Sequence, residues 1–255
     1  MVELLSHSLS RMFHNISDSI EEAKDQLSEL DGEVGDGDHG VTMSIGFQAV
    51  KAELSRRDVD AMAPADLMNT AATAFLNSVG ASTGPLYATG LKRAAQALVG
   101  VTEATAAAQA AILKGLADGV RERGKGQRGD KTMLDALIPA SDAAATAVRQ
   151  SADAQEMWRQ IIAAAEAGMA ATRSMIASKG RAARLGERAL GHLDPGAVSA
   201  VVILKAMAQT FCPNDRQQTA TADDPNAKVE RPAVRRSKGD GPRGSADEPP
   251  KSLSA

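Results

Sequence analysis

The sequence predicts an all-α fold: eight helices forming an antiparallel up-and-down bundle or closed ring, followed by a disordered tail. Three observations carry this. Apolar residues recur at helical spacing in almost every segment of 1–212, no run alternates convincingly at the period of two that a half-buried strand requires, and composition changes abruptly after Cys212.

The first helix is drawn by Met12, Ile16, Ile20, Ala23, Leu27 and Leu30, whose steps of four, four, three, four and three make one stripe. Ala-rich, Gly-punctuated segments follow, with helices predicted near 39–56, 64–79, 84–99, 103–123, 131–151, 154–174 and 195–211 and short polar or Gly/Pro breaks between them. Such short connections favour antiparallel neighbours. The longest irregular stretch, 175–194, has the length at which loops are often functional. Two domains in the broad sense result: a helical body, 1–212, and a tail, 213–255. The tail holds six of the ten prolines, lacks Ile, Met, Phe, Trp and Tyr, and carries eight basic against seven acidic residues. It can neither pack a core nor act as a strong polyelectrolyte arm.

Composition narrows the function classes. Hydrophobic residues make up 43% and charged residues 24%, ordinary globular values, but aromatics are only 2%. An aliphatic core is expected, with few rings to stack on bases. The net charge is −3, from 29 basic and 32 acidic side chains, without a long one-sign block. That excludes a nucleic-acid binder working through a basic face. The single cysteine, Cys212, permits no intrachain disulfide and no cysteine-based zinc site. The amphipathic start MVELLSHSLSRMF and the lack of a long uncharged apolar run predict a soluble, cytoplasmic protein without a membrane span.

The chemistry-bearing residues begin at the end of the first helix, in Leu30-Asp31-Gly32-Glu33-Val34-Gly35-Asp36-Gly37-Asp38-His39-Gly40. Its glycines satisfy G-x-G-x-x-G, but a dinucleotide fingerprint needs a preceding strand and a βαβ unit. An EF-hand fails because, counted from Asp31, position six is Asp36 and position twelve is Thr42. No Gly-Lys-Ser or Gly-Lys-Thr marks a Walker loop. There remain Asp31, Asp36 and Asp38 on a glycine-rich turn entering a helix near His39. Three close carboxylates raise one another's pKa unless a cation separates them. Hard oxygen donors suit Mg²⁺, which usually completes its octahedron with water and substrate phosphates. The helix start offers unpaired N–H groups to the same anion. The alternative is a solvated Asp/Gly loop with Asp38 as a helix N-cap.

Other segments are weaker singly. Asn77-Ser78-Val79-Gly80-Ala81-Ser82-Thr83-Gly84-Pro85-Leu86 joins two helices with small and hydroxyl residues; Asp130-Lys131-Thr132-Met133 follows the basic, Gly-rich 121–129; Ser178-Lys179-Gly180-Arg181 lies in the long loop. That loop closes with Gly191-His192-Leu193-Asp194-Pro195-Gly196, where Asp194 is a good N-cap ahead of a proline at the first helical position. His7 and His14 on the first helix are expected at the surface.

Taken together, GDGDHG with its D-x-x-x-x-D-x-D aspartates, GDKTM, KGRA-x-x-LGER and GH-x-DPGA resemble the nucleotide-binding L subunit of dihydroxyacetone kinases, in order and across 1–212. The resemblance implies an eight-helix antiparallel barrel with ADP or ATP and two Mg²⁺ at one end, and an interior that can hold a lipid. It implies Asp31, Asp36 and Asp38 as metal ligands and catalytic carboxylates. His39, Gly40, Val41 and Thr42 would meet the phosphates, assisted by Ser82 and Thr83, and Gly124, Met133, Arg181 and the Asp194-Pro195-Gly196 turn would surround the rest of the nucleotide. The family's usual Gly-Gly-Ala-Ser-Gly-Pro-Leu is here Gly80-Ala81-Ser82-Thr83-Gly84-Pro85-Leu86, adding a Cβ at 81 and a Thr at 83. The implied activity is phosphoryl transfer to a short-chain ketose, dihydroxyacetone or a triose or tetrose such as erythrulose, held by a separate K subunit. The phosphoryl donor is ATP or a phosphohistidine protein of a phosphotransferase system, and homo- or hetero-oligomers are expected. A different class, a nucleotide-loaded regulatory protein reporting phosphorylation state to a partner, stays open, as does a structural module with a degenerate site.

Overall fold

The computed structural model describes residues 4–80 and 82–212; the expectations for the tail, and for the added Cβ at 81, lie outside them. The chain forms α1 (Leu5–Val34), α2 (His39–Leu54), α3 (Pro64–Ser78), α4 (Thr83–Ala97), α5 (Ala106–Gly124), α6 (Leu134–Arg149), α7 (Ala154–Ala171) and α8 (Pro195–Phe211). Three 3-10 segments accompany them, at Val59–Ala61, Thr172–Ser174 and Ala182–Ala189. Among the described residues the extended backbone pairs only at an isolated bridge, Leu4 to Glu103.

Each helix packs on its sequence neighbours, and α8 returns to α1. The ring is therefore closed, and its up-and-down order brings the C-termini of α1, α3, α5 and α7 to the same end as the N-termini of α2, α4, α6 and α8. The predicted stripe of α1 faces the interior: Met12, Ile16, Ile20 and Leu27 are buried, and Ala23 and Leu30 pack at its margin. Burying one such aliphatic side chain contributes about 1.5–3 kcal/mol.

The core is aliphatic in its walls, but its centre is not. Phe47, Phe75 and Tyr87 form an edge-on and tilted cluster with centroids 5.1–6.2 Å apart, and Trp158 stacks on Phe211 at 5.9 Å. These few rings supply volume that the many alanines and glycines cannot. They also bear on the lipid expectation. The interior cavity, lined by residues including Phe13, Phe47 and Tyr87, is about 20 Å³, room for a water molecule rather than an acyl chain.

Three local differences from the sequence reading stand out. The first helix runs on to Val34, so Asp31 stands on its last turn rather than in a loop. The sixth starts at Leu134 rather than 131: Gly129 and Lys131 have positive φ, 95° and 58°, and the Asp135 carboxylate folds this segment back by accepting from Gly129 N–H (2.5 Å) and Thr132 N–H (2.8 Å). The seventh ends at Ala171 and tightens into 3-10 geometry. Helix α6 also contains Pro139, which has no N–H for the Asp135 carbonyl. Gly168 of α7 lies against that carbonyl, where a Cβ would approach to 1.9 Å.

Candidate functional site

At the end of the barrel where four helices begin, a cleft of about 560 Å³ opens between the interhelix loops. Its lining draws on α1, on the starts of α2, α4, α6 and α8, on the end of α5, and on the 179–182 stretch.

One wall carries the acidic group. Carboxylate oxygens of Asp31, Asp36 and Asp38 lie within 4.8 Å of one another. Asp31 is 9% exposed, held by the last turn of α1, and its Oδ2 accepts from His39 N–H at 3.3 Å. Asp36 and Asp38 are more open and share one cation: the Arg181 guanidinium pairs with Asp36 and reaches Asp38 Oδ1 at 3.3 Å. Three hard oxygen donors with a cation already drawn to two of them fit a divalent ion such as Mg²⁺. Asp38 occupies the N-cap position of α2, but its side chain makes no cap hydrogen bond. Capping therefore does not account for this carboxylate.

The helix starts supply the second feature. Helices α2, α4 and α6 begin at the cleft without a hydrogen bond from the N-cap side chain. At the opposite end, Thr105 and Asp153 cap α5 and α7 through Ala108 N–H and Glu156 N–H. The positive ends of several helix dipoles thus face one cavity, an arrangement that suits phosphate oxygens; within it His39 N–H is taken by Asp31, and the first N–H groups of α6 by Thr132 and Met133.

Helix α8 differs, because Asp194 does cap it, accepting from Ala197 N–H at 2.7 Å. Burial pushes the Asp194 carboxyl up to about 7; the Ala197 N–H opposes this, Asp135 adds to it and Lys131 opposes it. Beside it, His39 Nε2 lies 2.9 Å from Ser199 Oγ, whose hydroxyl donates to Gly196 O. Burial lowers the His39 pKa against the pull of Asp31, so the ring is neutral near pH 7.

The cleft's lining also includes apolar Leu86, Val120, Met133 and Leu134, with Gly124 packed against Leu86 and Gly126 against Leu134 in an apolar slot. A flat heterocycle fits such walls.

Of the residues named from sequence, Asp31, Asp38, His39, Thr42, Ser82, Thr83, Gly124, Met133, Arg181, Asp194, Pro195 and Gly196 line this cleft, and Asp36 joins through the carboxylate cluster. Gly40 and Val41 do not line it. Gly40 is pressed against α1, where a Cβ would come within 1.9 Å of Lys24 O, and Val41 is exposed on the outer face of α2. Sequence reasoning missed the slot residues Leu86, Val120 and Leu134, whose apolar character reads as core, and gave no role to Lys131, Lys179 or Arg123, which also line the cleft.

Comparisons with known proteins identify the family. The DAK2 domain model matches residues 33–209. The "PEP-dependent dihydroxyacetone kinase 2, ADP-binding subunit DhaL" of Listeria innocua is 36% identical over 192 residues, 75% of this chain and 88% of the relative. The corresponding ADP-binding subunit of Escherichia coli is 37% identical over 185 residues, 71% of this chain and 86% of the relative. The human triokinase/FMN cyclase is 35% identical over 188 residues, 74% of this chain but 32% of that longer protein. Among solved structures, the dihydroxyacetone kinase from C. freundii in complex with AMP-PNP and Mg²⁺ superposes with a TM-score of 0.61 at 26% identity, covering 79% of this chain and 33% of that one. No helix among the described residues is long and apolar enough to cross a membrane. The chain belongs to the DAK2-domain family, that of the nucleotide-binding L subunits of dihydroxyacetone kinases.

Proposed function

We propose that the chain is the ADP- or ATP-binding, Mg²⁺-dependent subunit of a two-component dihydroxyacetone-type kinase, acting on a short-chain ketose held by a partner K subunit. The observation that carries this reading is the convergence of Asp31, Asp36 and Asp38 with the uncapped starts of α2, α4 and α6 on one cleft that also has an apolar slot. Bound Mg²⁺, two ions by family resemblance, supplies charge neutralisation for the phosphates. The chain's own residues position the rest: the helix starts and the Ser82 and Thr83 hydroxyls receive phosphate oxygens, neutral His39 sits beside them, and Leu86, Val120, Met133 and Leu134 enclose the base.

Phosphoryl transfer is mostly positioning and electrostatics, which such a subunit can provide without a nucleophile. A ketose site and a base are then the work of the partner, and a phosphohistidine protein is the recharging partner if ADP stays bound. The two bacterial ADP-binding relatives are named PEP-dependent, which favours the arrangement in which ADP stays bound, and the longer human relative is named a triokinase.

Native mass spectrometry on protein purified without added nucleotide, followed by ADP and ATP titrations with Mg²⁺, tests the proposal. Retained ADP with two Mg²⁺ supports the phosphotransferase-linked form, and reversible ATP binding the ATP-dependent form. Asp36→Ala is expected to reduce Mg²⁺-dependent nucleotide affinity at least a hundredfold with helical content intact. A wild-type protein that binds neither nucleotide would sink the proposal; one that binds ADP tightly yet supports no ketose phosphorylation with any K subunit would leave a regulatory role instead.

A further inference from the structure

Lys131 lines the cleft, and a lysine beside a phosphate site is ordinarily read as a phosphate ligand. Its surroundings argue otherwise. The side chain is 1% exposed, and its Nζ donates to three backbone carbonyls: Thr172 O at 2.7 Å, Ala189 O at 2.8 Å and His192 O at 2.7 Å. An ammonium has three N–H donors and no more. All three are used, so none is left for a nucleotide.

The three carbonyls belong to the two ends of one segment. Residues 172–194 leave the end of α7 and return to the start of α8, and their ends are tied together by Gly191 N–H to Arg173 O (2.8 Å) and Asp194 N–H to Thr172 Oγ1 (3.0 Å). Lys131 fills the neck of that loop. The preceding residue holds its outer part: Asp130 Oδ1 accepts from Ser178 Oγ at 2.6 Å, and Asp130 O accepts from Ser178 N–H at 3.2 Å. Between these two anchors and α8 the loop carries Lys179 and Arg181 into the cleft, where Arg181 meets Asp36 and Asp38. It ends at Asp194, which starts α8.

The backbone of Lys131 adds to the argument. Its φ of 58° is a conformation that residues with a Cβ rarely adopt and that persists only where surrounding contacts over-determine it. The bend that the Asp135 carboxylate imposes before α6 includes this residue, whose side chain enters the neck.

We propose that Lys131 is a positioning residue of the nucleotide site: with Asp130 it mounts the 172–194 loop and thereby places Arg181 and the Asp194-Pro195-Gly196 turn, without itself touching the phosphates. This rests on the nucleotide-site reading above, and its test separates the two.

Amide hydrogen exchange is measured on full-length Lys131→Met without nucleotide, beside titration with MgADP. Exchange across 175–193 is expected to rise at least tenfold while the central amides of α1 and α8 keep wild-type rates, and MgADP affinity is expected to fall at least tenfold. Unchanged loop exchange would overturn the clamp. Faster loop exchange with unchanged MgADP affinity would reduce Lys131 to a structural tie and overturn the positioning role. A wild type that binds no nucleotide defeats the functional reading instead, and with it the positioning role, while the exchange comparison still reports on the clamp. If Lys131→Met does not fold, ¹⁵N-lysine spectra of the wild type decide. A protected ammonium resonance in the nucleotide-free protein, retained with MgADP, is expected. One lost to rapid exchange with water would overturn the proposal.

Discussion

Asp194 shows how much one buried side chain can carry. It caps α8, lies within the electrostatic reach of Asp135, Asp31 and Lys131, and has its pKa raised by burial from an ordinary 3.8 to about 7. Between those values the folded chain holds a proton that the unfolded chain has released. Stability from this group is therefore complete below about pH 4 and declines as pH rises toward 7, by about 1.4 kcal/mol per pH unit at most. Asn keeps an N-cap oxygen but cannot titrate. Asp194→Asn is thus expected to remove this decline, seen as a smaller loss of unfolding free energy between pH 5 and 7.5 in urea titrations of the nucleotide-free protein. Equal slopes in the two proteins would mean that Asp194 titrates normally. Gly40 is the complementary case, a residue named for the site that also packs two helices together. It stands where α2 crosses the Lys24 carbonyl of α1, and a Cβ there has no space; that packing leaves its expected backbone contact with a phosphate untouched.

At the scale of elements, that crossing links packing to function. Helices α1 and α2 hold Asp31, Asp38 and His39, so the spacing between them sets the distance between the carboxylates and the first N–H groups of α2. Gly40→Ala is expected to push the helices apart, at a cost of about 1–3 kcal/mol, lowering the thermal midpoint and weakening Mg²⁺-dependent nucleotide binding together. A variant with unaltered midpoint and unaltered affinity would show that the crossing relaxes without consequence. The caps show the same logic. Side chains cap α5 and α7 away from the cleft, whereas α2, α4 and α6 start at the cleft without that bond. The lack of a side-chain cap is shared by α1 and α3 away from the cleft, and the first N–H groups of α6 are taken by Thr132 and Met133, so what marks the cleft is the convergence of helix N-termini rather than a missing cap.

For the whole molecule, a closed up-and-down ring solves two problems at once. Each helix buries its apolar stripe against two neighbours and a shared interior, and alternate connections gather at one rim. Among the described residues, all those that line the cleft precede Phe211. A chain ending at Cys212 is accordingly expected to keep wild-type helical content per folded residue and MgADP affinity within about twofold; a large loss on titration would assign the tail a part in the site. The small size of the cavity at Phe13, Phe47 and Tyr87, about 20 Å³, predicts that organic extraction of the purified protein yields no stoichiometric lipid, and a stoichiometric acyl lipid recovered by mass spectrometry would require the ring to open around those residues.

The local pattern of residues was enough to read the helices and much of the site. The stripe of α1, the Pro195 start of α8 and the D-x-x-x-x-D-x-D aspartates depend on neighbours in the chain, so periodicity and spacing reveal them, and the ordered set of motifs carried the family. What the chain could not reveal locally depends on contacts between distant segments. The use of Lys131 is set by carbonyls 41, 58 and 61 residues away, the pairing of Arg181 with Asp36 by a loop 145 residues on, and the slot of Leu86, Val120 and Leu134 by which side of three helices the ring turns to its mouth. Sequence determined the helices, the carboxylate donors and the family; tertiary structure alone decided which polar groups are spent on holding the protein together and which are left for a ligand, because hydrogen-bond capacity and burial are properties of the packed whole.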